Sequence, residues 1–368
     1  MSKKTDKIKT HESIKDESLK KPHKSNESHE SHESQSKSTN EIKKEAVVLL
    51  NMGGANNLFE VELFLKNMFA DPLILRIKSN FMRKMVANMI INGRLDKLKA
   101  NYTAIGSKSP LVEITYNLTK ILGEVDNSRF YTYAMRYTPP YAKNVVADLK
   151  ERGIEKITLF TMYPQYSTTT TLSSVRDFLN ALKENNYTPK VEIVESYADD
   201  LAFIKCCVER IKEAQSNFSS DESFGDFILL LSTHSIPQSV VDSGDIYESE
   251  VAKSTEAIKA ELQRQGICFK DIVICYQSKV GPTKWLSPST IDTIKKHRNE
   301  KLLIYPLAFT IDNYETEFEL EIDNRKLADS LGVPKYIICK CPNATTNFAK
   351  AIVEIILKKR KDINEAHI

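Results

Sequence analysis

Long uncharged apolar runs are missing from this chain of 368 residues. No stretch approaches the roughly 18–20 apolar residues that a membrane-spanning helix needs. Excess charge of one sign is missing too, with a net charge of +3. A nucleic-acid-binding face needs concentrated Lys and Arg, so no nucleic-acid partner is expected. The six cysteines (Cys206, Cys207, Cys268, Cys275, Cys339 and Cys341) contain no CxxC pair and sit in apolar contexts. With no secretory leader apparent, they read as buried thiols in a reducing compartment. The expected location is the cytoplasm, with at most a peripheral hold on the inner face of the cell membrane. No GxGxxG follows the first apolar run. Asn51-Met52-Gly53-Gly54 is a turn without dinucleotide-site spacing.

What is present is a globular composition: 41% hydrophobic and 27% charged residues, enough for one large core or two ordinary ones. Residues 1–45 differ from the rest. They are rich in Lys, Glu, Ser, Asn and His, with His11, His29 and His32 in a His-Glu-Ser theme, and read as a disordered tail. From Ala46 short apolar runs recur at 46–51, 130–135, 157–162, 191–194, 227–231, 272–276, 302–309 and 336–339. Helical periodicity lies between them, as at 144–152, 173–185 and 248–265. Such alternation predicts an α/β fold with parallel sheets flanked by helices. Two units are expected, 46–186 and 187–342, with the last helical segment (343–360) folding back on the first.

Beyond the tail only three histidines remain. His297 lies in a basic turn and His367 at the polar end. His234 closes the apolar run 227–231, and in open α/β sheets ligands bind outside the carboxyl ends of strands. It reads either as a satisfied core residue or as a site residue. After the run 302–309, Asp312, Glu315, Glu319 and Asp323 recur at steps of three and four. On a helix this lines four carboxylates along one face, suited to a proton or cation path. Tyr163 in Tyr-Pro-Gln-Tyr-Ser, the lone Trp285 and Arg136-Tyr137 supply aromatic walls and a cation, or core packing. Residues 73–99 interleave Leu, Ile, Phe and Met with Arg76, Lys78, Arg83, Lys84, Arg94 and Lys97. This suits a membrane-resting lip of an apolar pocket, or a surface helix with its apolar side in the core.

Taken together and in order, several segments resemble the ferrochelatase family: LLNMGG (49–54), Ser109–Leu111, MRY (135–137), YPQYS (163–167), STHSIP (232–237), YQSKVGP (276–282) with Trp285-Leu286, and PLAFTIDNYE (306–315). The resemblance spans about residues 46–357. It implies two Rossmann-like domains with a porphyrin cleft between them. It implies insertion of ferrous iron into protoporphyrin IX, with release of two protons, as the last step of haem synthesis. His234 then corresponds to the essential histidine and Glu315 to its paired carboxylate, in proton transfer or metal contact. Met52, Arg136 and Trp285 match pocket positions, and Arg136 suits a porphyrin propionate. Asp312, Glu319 and Asp323 would extend the path. The substrates, porphyrin and ferrous iron, are the expected partners, with peripheral membrane contact through 73–99. One departure stands out. The family's Asp-His-x-Glu reads Asp312-Asn313-Tyr314-Glu315 here, and asparagine neither takes a proton near neutral pH nor rivals imidazole as a ligand for ferrous iron. A Gly-rich signature is also altered, to Ile105-Gly106-Ser107-Lys108-Ser109. No permanent cofactor is expected, and no iron–sulfur cluster, since Cys339 and Cys341 form only a CxC. Cobalt insertion into sirohydrochlorin and non-catalytic haem carriage are the competing functions.

Overall fold

Branched and aromatic apolar runs bounded by polar turns form the strands β1 (Glu45–Asn51), β2 (Phe130–Met135), β3 (Lys156–Thr161), β4 (Lys190–Val194), β5 (Phe227–His234), β6 (Asp271–Gln277), β7 (Lys301–Pro306) and β8 (Lys335–Ile338). The computed structural model describes residues 43–279, 281 and 283–365. The tail histidines His11, His29 and His32, Val280 and Pro282 of YQSKVGP, and His367 lie outside the described residues. All strand pairs are parallel, in two sheets of order β2-β1-β3-β4 and β6-β5-β7-β8. Each order reverses direction once, between β1 and β3 and between β5 and β7. The carboxyl ends of strands at such a reversal are where open sheets bind ligands.

Helices cover the sheets: α1 (Glu60–Ala70), α2 (Asn80–Asn92), α3 (Leu95–Ala104), α4 (Leu111–Val125), α5 (Ala142–Glu151), α6 (Ser173–Glu184), α7 (Leu201–Glu213), α8 (Gln238–Val241), α9 (Tyr247–Arg264), α10 (Thr290–Lys296), α11 (Arg325–Ser330) and α12 (Thr346–Glu365). Two segments, Thr168–Leu172 and Glu315–Asn324, are π-helical. The inner faces of both sheets meet in one apolar cluster. It joins Val47 and Leu49 of β1, Phe160 of β3, Phe227 and Leu229 of β5, Leu303 of β7 and Phe348 and Ile352 of α12. Each fully buried Leu or Phe there contributes about 2 kcal/mol. Separate clusters, around Val48, Val146 and Phe178 and around Ile228, Ile294 and Ile304, cover the outer faces. α12 packs on both α4 and α7.

The elements depart from the sequence pattern at their ends. β5 continues past residue 231 to His234 because Ser232 and Thr233 are satisfied in place. Their hydroxyls donate to Gln277 Oε1 (2.7 Å) and to the Cys275 carbonyl (3.3 Å). β7 stops at Pro306, which has no N–H for the ladder, and Phe309 N–H turns back to the Pro306 carbonyl (3.1 Å). β4 pairs with β3, so the first sheet reaches beyond residue 186. At the other end Glu45 belongs to β1, and the Lys44 carbonyl accepts the N–H groups of Glu155 and Lys156. The first strand therefore starts ahead of Ala46.

Candidate functional site

His234 stands at the carboxyl end of β5, at the reversal point of the second sheet. Its ring Nδ1 lies 2.7 Å from the Ser235 carbonyl. A carbonyl can only accept, so Nδ1 carries a hydrogen, and in the neutral ring Nε2 is the nitrogen left to accept. The Tyr247 hydroxyl donates to the His234 carbonyl (2.9 Å) and Phe309 meets the imidazole edge-on, with centroids 6.4 Å apart. The following loop is clamped by the segment after β6. Ser235 N–H donates to the Gln277 carbonyl (2.8 Å), Leu286 N–H to the Ile236 carbonyl (3.2 Å), and Trp285 bridges to Pro237. Trp285 is thereby fixed beside the His234 turn.

The carboxylate row divides in two. Glu315, Glu319 and Asp323 lie on the π-helix Glu315–Asn324, where i→i+5 bonding widens the turn and keeps residues four apart nearly on one side. They run from partly buried Glu315 and Glu319 to exposed Asp323. Burial pushes the Glu315 carboxyl above its usual range, against the pull of neighbouring His234. Asp312 is not part of the row. It is buried and accepts Cys341 N–H (3.1 Å) and Asn343 Nδ2 (2.8 Å), with Lys340 at 3.8 Å. It anchors the turn between β8 and α12, off the π-helix that carries the other three. Asn313, also buried, accepts Thr316 N–H on Oδ1 (3.1 Å) and donates to the Ile311 carbonyl (3.3 Å). Where the family pattern has its second histidine, this side chain caps the π-helix.

Met52 follows β1 at the reversal point of the first sheet and is half-buried. The glycines after it allow close packing. A Cβ on Gly53, at φ +89°, would lie 2.2 Å from Thr138 Oγ1, and one on Gly54 would lie 2.7 Å from Ser109. The carboxyl ends of the two sheets are tied together by Thr310 Oγ1 donating to the Met162 carbonyl (2.9 Å) and by Gln165 Nε2 donating to the Leu307 carbonyl (3.4 Å). Tyr163 is turned into the interior, with its hydroxyl 3.2 Å from Ser174 Oγ. Arg136 is not a free cation. It bonds Asp71 (3.1 Å), Ser173 (3.0 Å) and Asp177 (3.3 Å), so a propionate would have to compete with two carboxylates already in place. Asp71 also accepts the Tyr137 hydroxyl (3.0 Å) and Leu73 N–H (2.8 Å), tying the end of α1 to this cluster.

Within 73–99, α2 carries apolar residues on two sides. One side of α2 packs Ala87 and Ile91 against Leu65 and Phe69 of α1, while Phe81, Met82, Met85 and Met89 are exposed. Arg83 is structural, donating to the Ala70 (2.9 Å) and Ile77 (2.8 Å) carbonyls, and Arg76 reaches Thr168 (3.0 Å). Among the described residues no helix is long and apolar enough to cross a membrane, and no group of three or more His, Cys, Asp or Glu could hold a metal ion. Cys207, Cys339 and Cys341 are buried thiols whose protons are held more tightly by burial, and Cys275 is pushed up to about 11. Sequence reasoning missed Phe309, Asp71 and Ser278. Phe309 carried a signal, since it lies in the same segment as the acid row. Asp71 carried none, its side-chain partners lying 65 to 102 residues away.

A profile of the ferrochelatase family matches residues 44–360. Ferrochelatase of Helicobacter pylori strain J99 is 51% identical over 320 residues, covering 87% of this chain and 94% of that protein. Ferrochelatase of Wolinella succinogenes is 49% identical, covering 85% and 98%. Among solved structures, SirB from Bacillus subtilis with Fe3+ aligns with a TM-score of 0.51 at 10% identity, over 86% of this chain and 95% of that one. The sirohydrochlorin chelatase SirB of subspecies spizizenii, in complex with cobalt, aligns at 0.50 and 9% identity, over 87% and 96%. At those identities the likeness extends to the fold alone. The profile match and the identity across most of both chains are far more specific, and by them this chain belongs to the ferrochelatase family.

Proposed function

We infer that this chain is a ferrochelatase, inserting Fe2+ into a porphyrin in haem synthesis with release of two protons. Family membership supports the reaction. The observation that carries the residue assignment is the His234 Nδ1 contact to the Ser235 carbonyl, which leaves Nε2 unengaged, at a strand-reversal point beside a carboxyl whose proton affinity burial has raised. Inserting a divalent ion removes two protons from pyrrole nitrogens. An imidazole with one nitrogen already donating can accept on the other, and a Glu315 carboxyl with raised proton affinity can exchange protons closer to neutral pH. Glu319 and Asp323 continue from Glu315 toward solvent. His234 and Glu315 are the candidate contacts for the incoming iron. Met52 and Trp285 are the candidate porphyrin contacts; Tyr163 is turned inward, and Arg136, partly exposed, would have to be shared with Asp71 and Asp177.

Protoporphyrin IX is the favoured substrate over coproporphyrin III, and the exposed apolar side of α2 supports this, because vinyl groups suit an apolar, lipid-facing entrance. Purified protein should be assayed for zinc and ferrous iron insertion into both porphyrins, by absorbance. His234→Ala should lower kcat at least about 100-fold, the lower range for a lost general base, with porphyrin still bound. Retention of more than about a tenth of kcat would leave less than roughly 1.4 kcal/mol of the barrier on His234 and sink the assignment. Turnover of coproporphyrin III alone would overturn the substrate choice.

A further inference from the structure

Glu319 is the most tightly held carboxylate of the row. Oε1 accepts Ser278 N–H at 2.6 Å, and Oε2 accepts the Ser278 hydroxyl and, at 3.5 Å, Gln277 Nε2. Ser278 has φ +66°, a backbone conformation that glycine adopts most readily. A hydroxyl thus stands where the backbone alone favours no side chain, and its hydrogen bond goes to Glu319. The tether continues inward. Gln277 Oε1 accepts the Ser232 hydroxyl (2.7 Å) and its carbonyl accepts Ser235 N–H (2.8 Å). Those residues flank Thr233-His234. One hydrogen-bonded run therefore connects the backbone around His234 to the second carboxylate of the row, while exposed Asp323 has no comparable tether among the described residues.

We propose that Ser278 is a positioning residue for metal insertion, holding the Glu319 carboxylate in a fixed relation to His234. The proposal rests on the reading of Glu315, Glu319 and Asp323 as the ion path, and Ser278 acts only through Glu319. As both Glu319 oxygens are occupied, the carboxylate cannot swing. It presents its remaining lone pairs in one direction, and the ion moves along the row at one place.

The test is a double-mutant cycle on zinc insertion into protoporphyrin IX, with Ser278→Gly, Glu319→Gln and the double variant, and thermal unfolding of each. Glycine suits the backbone of residue 278, so the substitution removes the hydroxyl without straining the turn. Ser278→Gly should raise the KM for metal about tenfold, as expected for one lost hydrogen bond to a charged group, with porphyrin KM and Tm unchanged. In the Glu319→Gln background the same change should add nothing. Additive effects, or a fall in kcat that tracks a lower Tm, would overturn the positioning role. So would wild-type metal KM in Ser278→Gly beside an impaired Glu319→Gln, which leaves the path intact. Wild-type kinetics for Glu319→Gln itself would remove the path reading and the proposal with it.

Discussion

A carboxyl that burial makes reluctant to ionise has opposite consequences for activity and for stability, and Glu315 makes both measurable. Its proton affinity is raised in the folded state. Stability from holding that proton is present at low pH and is lost as pH rises through the raised value, so near neutrality the ionised form weighs against folding. Glu315→Gln should therefore raise Tm at neutral pH while lowering kcat, and the Tm gain should vanish at acidic pH. Thermal scans across pH beside zinc-insertion rates check both parts, and a Tm loss at neutral pH would contradict the assignment. Asn313→Ala should cost about 1 kcal/mol by chemical denaturation, the usual loss for a helix cap, because Oδ1 holds Thr316 N–H. Replacement by histidine, which the family pattern alone makes look harmless, has to fit a larger ring into a buried site. His234 was legible because a lone imidazole stands just past the apolar run 227–231. The engagement of Arg136 was not, since Asp71 and Asp177 are brought to it only by the tertiary fold.

At the scale of elements, parallel strands covered on both faces leave a plain trace, a continuous apolar run. That is why strand positions were legible to within a few residues. Their ends were not, because Ser232 and Thr233 look like turn residues until Gln277 and the Cys275 carbonyl meet them. The π-helix left no trace distinct from an α-helix. Four-residue spacing of Glu315, Glu319 and Asp323 announced a helix, and only the wider turn distinguishes the two. α2 shows apolar residues on two sides, one for α1 and one for solvent. If the exposed side rests on lipid, exposed Lys78 and Lys84 should face the headgroups, contributing about 1 kcal/mol each. Charge reversal at both should weaken flotation with anionic liposomes at low salt more than about tenfold. Arg76 and Arg83 are unsuitable for that test, since both make hydrogen bonds within the fold. Unchanged flotation would remove the lipid contact.

For the whole molecule, the tail can be cut more safely at residue 42 than at 45. Lys43 Nζ donates to the Arg129 carbonyl (3.0 Å) and Lys44 bonds the start of β3. Removing 1–42 should leave Tm and kcat unchanged, and a loss of either would assign the tail a role its composition does not suggest. Two sheets of identical strand order invite description as two domains, and the alternation of elements made that legible. The shared interior was less so, because nothing in a run such as Phe-Ile-Leu-Leu-Leu says which neighbour it will meet. That interior, with α12 gripping both α4 and α7, has a practical consequence for anyone dividing the protein. Halves expressed separately would each expose Phe160 or Phe227 and their neighbours and should aggregate, whereas the same halves made together should find one another and regain activity. A gene split between residues 194 and 227 should thus complement itself when both pieces are made in one cell, its haem output depending on reunion.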